Sequence, residues 1–222
     1  MDLKLKDIIE LLNVPEKTIV QWIRDRGMPA TKIKNQYYFN KAEVSEWVLT
    51  HNIAVSENIF NLNLTNKPVL ISQLIRKGGI YHNIQGNNIN DIITGIVDVI
   101  GIPRGLTKET VRASLLQREE MMSTAVGNGI AFPHPRNPII SEVEDEGISI
   151  CFLARKINYN AMDKKPVGVL FIIISSNSNR HLEILSKISF LCRQEDFVKI
   201  LWGGQGTDEI LSYIKMKEKE WV

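Results

Sequence analysis

The segment Val167–Ile174, VGVLFIII, constrains this chain more than any other. It is far too short to cross a bilayer. It also carries no polar alternation, so it does not read as a strand with one wet face. Residues 169–175 therefore read as a central strand covered on both sides, and such a strand needs a layer of helices above and below it. The flanking sequence supplies them. Helical patterns fall at Ile71–Lys77, Ile89–Ile100, Lys108–Gln117, Leu182–Cys192, Asp196–Leu201 and Asp208–Met216. Further strand patterns fall at Ala125–Val126, Ile130–Phe132 and Ile148–Leu153. The expected fold for residues 68–222 is an α/β sandwich, a mixed sheet covered by helices.

Residues 1–51 follow a different plan. Lys4–Leu12 is amphipathic, with Ile8, Leu11 and Leu12 on one face and acidic residues between them, a pattern unlike a signal peptide. Asn13-Val14-Pro15 breaks it. A second helix runs from Glu16 to about Asp25, with Ile19, Trp22 and Ile23 at core spacing. Gly27-Met28-Pro29 ends that helix. Ala30–Ile33 and Tyr37–Phe39 then read as a hairpin, and Lys41–Leu49 as a closing helix carrying Val44, Trp47 and Val48. Helix, turn, helix, hairpin, helix is a small winged helix-turn-helix arrangement. Through LKDIIELLNVPEKTIVQWIRDRGMPA and KIKNQYYFNKAEVSEWV it resembles the MerR and excisionase type. The resemblance implies that Lys17, Thr18, Gln21 and Arg24 of the second helix face the major groove of DNA, with Lys32 and Lys34 of the wing on the backbone. Asn52–Lys67, rich in Asn, Ser and Thr, reads as a linker.

Charge limits the partners. The whole chain is only +2, so no global basic field points to nucleic acid or anionic lipid. Residues 1–51 hold eight Lys and Arg against seven acidic residues, but residues 17–34 hold five against one. That is a patch, and a single patch binds DNA weakly, so DNA recognition would call for a homodimer or a protein contact. The two cysteines lie in apolar contexts and read as buried free thiols of a cytoplasmic protein. No Cys/His cluster has zinc spacing, and no metal or cofactor is expected.

The chemistry concentrates in REEMMSTAVGNGIAFPHPR, residues 118–136. Asn128-Gly129 between two short apolar runs is a hairpin signal, and the hairpin would deliver its outgoing strand, with His134 at the end, to the edge of the sheet. Pro133 stiffens the approach to that imidazole. Arg118 closes the preceding helix. Far along the chain, Asn177-Ser178-Asn179-Arg180-His181 follows the central strand and opens a helix, which is where α/β folds hold anions. Two imidazoles and a guanidinium suit phosphoryl transfer: one His attacks phosphorus, the other donates a hydrogen bond to an oxygen, and Arg neutralises charge.

These residues resemble the enzyme IIA domains of the fructose/mannitol and nitrogen-regulatory group of the phosphoenolpyruvate-dependent phosphotransferase system. The matching motifs are LLQREEMMSTAVGNGIAFPHPR and HLEILSKISFLC, within residues 68–220. The resemblance implies that His134 accepts phosphate from a histidine-containing phosphocarrier and forms an ε-nitrogen phosphohistidine. It gives Arg118, 16 residues upstream, and His181, 47 residues downstream, the supporting roles. Met122, Ala125, Val126 and Phe132 depart from the usual residues and should repack the strand only. The chain would then be a carrier rather than a turnover enzyme, with three readings. It could couple phosphorylation to DNA binding, control protein partners without DNA, or pass phosphate to a IIB sugar-transport partner. No membrane partner is implied.

The remaining polar residues of note read as structural or solvated: His51 at a helix end, His82 in a Tyr-His-Asn loop, Ser123 and Thr124 in the turn and strand, Asn128 for its turn conformation, and Arg136 in a loop.

Overall fold

The computed structural model describes residues 2–34, 36–51, 53, 68–204 and 206–221. Almost all of the segment read as a linker lies outside the described residues. The chain divides into two compact units, Met1–Pro68 and Val69–Val222.

In the first unit, β1 (Asp2–Lys4) leads into α1 (Leu5–Leu12) and α2 (Glu16–Asp25). β2 (Thr31–Ile33), β3 (Gln36–Asn40) and α3 (Lys41–Thr50) follow. The strand β1 departs from the sequence pattern, which starts the helix at Lys4. Instead Leu3 pairs with Phe39 and Lys4 with Tyr38, which places β1 beside β3 in a β1-β3-β2 antiparallel sheet. The Asp7 carboxylate accepts the backbone N–H of Lys4 at 2.8 Å and marks where the helix starts. Asn13, left-handed at φ 51°, ends α1. The core is Ile8, Leu12, Ile19, Met28, Phe39, Val44, Trp47 and Val48, all buried, while Leu11 is half-buried. Trp47 packs 5.4 Å from Trp22 and donates its indole N–H to the Arg26 carbonyl at 2.9 Å, so its one polar atom is satisfied.

The second unit contains α4 (Ile71–Gly78), β4 (Ile80–Ile84), α5 (Ile89–Val99), α6 (Lys108–Met121), β5 (Ala125–Gly127) and β6 (Ile130–Ala131). β7 (Gly147–Ile157), β8 (Val167–Ile174), α7 (Ser178–Arg193), α8 (Glu195–Trp202) and α9 (Thr207–Glu218) complete it. The sheet order is β4-β7-β8-β6-β5. β8 is in the middle with all eight residues buried, as its sequence demanded. β7 runs antiparallel to β8, β6 parallel to it. Leu170, Ile172 and Ile174 join the core beneath α5 and α6. The alternate residues Val169, Phe171 and Ile173 point the other way, and α4 with α7, α8 and α9 forms the other helical group.

Three sequence expectations are corrected here. β4 had no strand signal, because its residues 82 and 83 are an exposed His-Asn pair and the strand borders only β7. His82 is therefore a strand residue, stacked 4.7 Å from Phe152, and not part of a loop. The outgoing strand of the Asn-Gly hairpin is not at the sheet edge either. β6 pairs with β8 (Ile130↔Val169, Ala131↔Leu170), and β5 takes the edge. The hairpin turn itself is as read, with Asn128 at φ 54° and Gly129 at φ 75°. A Cβ at Gly129 would sit 2.9 Å from the Trp202 ring, so glycine is required there for space as well as for angle.

Long-range hydrogen bonds tie the start of this unit to its later helices. The buried Glu218 carboxylate, in the last turn of α9, accepts the Ser72 N–H at 2.9 Å and the Ser72 hydroxyl at 2.6 Å, capping the start of α4. Lys187 of α7 donates to the Val69 carbonyl at 2.8 Å.

Candidate active site

The approach to His134 is fixed by backbone bonds. The Phe132 N–H donates to the Thr124 carbonyl (3.0 Å) and the Ile173 N–H to the Pro133 carbonyl (2.9 Å), so the chain stays extended past the end of β6. Phe132 itself is buried edge-on against Phe171 at 5.7 Å. His134, 2% exposed, then turns its Nδ1 back onto the Phe132 carbonyl at 2.6 Å. A carbonyl only accepts. Nδ1 therefore carries the proton, and the lone pair of the neutral ring lies on Nε2.

His181 arrives from β8. After Ile174 the chain passes Ser175 and Ser176 to Asn177, whose side chain accepts the Arg180 N–H at 3.1 Å and caps α7. α7 begins earlier than its apolar pattern suggested, so His181 lies in its first turn. The two imidazoles are 4.6 Å apart between centroids, inclined at 51°. His181 Nδ1 is 3.3 Å from the Ser175 hydroxyl.

Arg118 is in the last turn of α6, 5% exposed, and donates from Nη1 to the Met122 carbonyl at 2.8 Å. Its charge reaches both histidines. Burial, aided by Arg118, pushes His134 down to about 4. Burial, then His134 and Arg118, holds His181 well below the usual histidine range. Both rings are thus neutral at physiological pH, His134 with its lone pair on Nε2 and His181 with one proton for two ring nitrogens. The structure brings together all three residues expected at this site.

Two buried acids were missed by sequence reading. Glu119 accepts the Thr124 N–H (2.8 Å), the Thr124 hydroxyl (2.6 Å) and the Tyr159 hydroxyl (3.3 Å), and so ties α6 to the start of β5. Burial raises its pKa. Its position in the Arg-Glu-Glu triplet was a usable signal. Glu146, paired with Arg180, had none, because its partner lies 34 residues away.

In the first unit Lys17, Gln21 and Arg24 are exposed along α2, and Thr18 is half-buried. Arg24 is engaged by its neighbour Asp25 at 2.6 Å. On the wing, Lys32 Nζ lies 5.6 Å from the Tyr37 ring and Lys34 is at the turn with φ 45°. His51 stacks on Trp47 at 4.4 Å, a structural role. Arg136 is exposed, and Cys151 and Cys192 are buried free thiols. Among the described residues no helix is long and apolar enough to cross a membrane.

Both units have counterparts among known proteins. Residues 73–217 match the model for the phosphoenolpyruvate-dependent sugar phosphotransferase system EIIA 2 domain, and residues 3–52 match a helix-turn-helix domain. The mannitol-specific phosphotransferase enzyme IIA component of Bacillus subtilis is 32% identical over 50% of this chain and 76% of its own length. A nitrogen regulatory protein of Bradyrhizobium diazoefficiens is also 32% identical, over 50% of this chain and 72% of its own. The fructose-specific EIIABC component of B. subtilis is 28% identical, and there the match spans only 24% of the relative. Among solved structures, nitrogen regulatory protein IIA-Ntr from Neisseria meningitidis superposes with a TM-score of 0.55 at 22% identity. That match covers 66% of this chain and 99% of that one, and it shows the shared fold. The chain therefore belongs to the EIIA 2 family of the phosphotransferase system, joined to an N-terminal helix-turn-helix domain.

Proposed function

We propose that this protein is a regulatory histidine phosphocarrier in which His134 takes a phosphoryl group from a phosphohistidine donor, with the helix-turn-helix unit as its output to DNA. The observation that carries the reading is the 2.6 Å contact from His134 Nδ1 to the Phe132 carbonyl. It leaves Nε2 as the nucleophile. As the Nε2–P bond forms, the N–P bond of the donor breaks and the donor imidazole leaves with that electron pair. His134 Nδ1 keeps its proton and goes on donating it to the Phe132 carbonyl, which stabilises the positive charge gained by the phosphorylated ring. Arg118 and His181 face the oxygens of the moving phosphoryl group, Arg118 as a charge and His181 as a hydrogen-bond donor.

The donor is a histidine-containing phosphocarrier protein, and the location is the cytoplasm, which suits two free thiols. Output through DNA would use Lys17, Thr18, Gln21, Arg24, Lys32 and Lys34. Added negative charge on His134 would change DNA affinity or assembly. Mass spectrometry after incubation with a phosphorylated phosphocarrier should show one added phosphoryl group, absent in His134→Ala. Selection of genomic fragments by the unmodified and the phosphorylated chain should then enrich a site in one state. Enrichment in neither state overturns the DNA output.

A second reading has support of its own. Arg24 is already paired with Asp25, and residues 1–51 are nearly neutral, which favours a nitrogen-type regulator that acts on protein partners. Partner binding that survives Arg24→Glu and Lys34→Glu would select it. Rapid passage of phosphate from His134 to a IIB partner would instead select the transport role.

A further inference from the structure

The turn between β8 and α7 holds polar groups that the phosphoryl chemistry does not use. Glu146, completely buried, follows the 3-10 turn Val143–Asp145. Its Oε1 accepts the Ser176 N–H at 2.9 Å and the Ser176 hydroxyl at 2.7 Å. Arg180, also buried, donates from Nε to both carboxylate oxygens at 2.8 and 2.7 Å, and its Nη2 lies 2.7 Å from Oε2. With the Asn177 cap added, residues 176 to 180 are held at both ends. Ser175 precedes the clamped segment and His181 follows it, and the clamp sets their separation.

We propose that Ser175 is a positioning residue whose hydroxyl donates to His181 Nδ1 and so keeps the His181 proton on Nε2, where it can serve a phosphoryl oxygen. A neutral imidazole has one proton for two nitrogens, and a serine hydroxyl can either give or take a hydrogen bond. The other side of the ring decides between them. The neighbouring His134, 4.6 Å away between ring centroids, has its proton on Nδ1 toward the Phe132 carbonyl and its lone pair on Nε2, and phosphoryl oxygens likewise only accept. Acceptors there require Nε2–H. Nδ1 is then the acceptor and Ser175 the donor.

The consequence for transfer rests on the proposed function, whereas the tautomer does not. The first experiment therefore uses the unphosphorylated full chain. Long-range proton–nitrogen correlation spectra of 15N-histidine-labelled protein should show His181 as the Nε2–H tautomer. Ser175→Ala should move it to a mixture of tautomers, and Ser175→Thr should restore it. Phosphoryl transfer from the phosphocarrier should then slow about tenfold in Ser175→Ala with KM for the carrier unchanged, and recover in Ser175→Thr. A wild-type His181 in the Nδ1–H form overturns the proposal without any variant. A tautomer or transfer rate unmoved by Ser175→Ala overturns it as well. A correct tautomer in a chain that takes no phosphate at His134 sinks the proposed function and leaves the Ser175–His181 assignment intact.

Discussion

The two histidines of this site are mounted in opposite ways. The end of β6 holds His134 by the backbone alone: the carbonyl two residues back accepts from its ring, and two further backbone bonds keep that stretch extended. The β8–α7 turn holds His181 by side chains: Ser175 at the ring, with Glu146, Arg180 and Asn177 behind it. A backbone mount survives almost any substitution near it. A side-chain mount can be tuned, or destroyed, by one. The group that would form the covalent bond sits on the first kind, and the group that would only assist sits on the second.

Predictions that separate these mounts fall in order of size. His134→Ala should abolish phosphorylation outright, as read by mass. Glu146→Ala leaves the Arg180 guanidinium buried without its carboxylate and should cost about 3–5 kcal/mol in urea unfolding. Glu146→Ala with Arg180→Leu, which removes both charges, should recover much of that loss. Arg118→Lys keeps the charge but loses the forked guanidinium, and should slow transfer on the order of a hundredfold with the fold unchanged by circular dichroism.

The pH test comes next. His134 is pushed down to about 4 in the folded chain, so between that value and about 6.5 the unfolded chain binds the extra proton. Stability from this group is present above about 6.5 and is lost as pH falls. The difference between wild type and His134→Ala should shrink by about 2 kcal/mol from pH 6.5 to 5. A difference independent of pH would mean that the ring is not held neutral. The smallest effect belongs to Phe132→Leu. It should cost about 1 kcal/mol for the lost contact with Phe171 and leave the His134 tautomer untouched, because the acceptor is a main-chain oxygen.

Sequence carried much of this. The apolar octapeptide required a covered central strand, and Asn128-Gly129 required a hairpin. The Pro-His pair and the later Arg-His at a helix start marked both imidazoles, because each signal is local. What escaped was set by distant partners. β1 exists because Leu3 meets Phe39, and β4 because it lies against β7, and neither has an apolar pattern of its own. Glu146 looks like any loop acid until Arg180 comes round to meet it. The hairpin was placed at the edge because adjacency in sequence suggests it, whereas β6 gains its place from parallel pairing with β8.

Ser72 and Glu218 are 146 positions apart, yet one carboxylate joins them. A folding unit whose entrance and exit are neighbours behaves as a cassette: it can be spliced between other segments, or rewired by circular permutation, without its interior being redrawn. The same fold can then travel between chains of quite different build. Here it follows a helix-turn-helix domain, and in the fructose-specific relative the matched stretch is about a quarter of a longer protein.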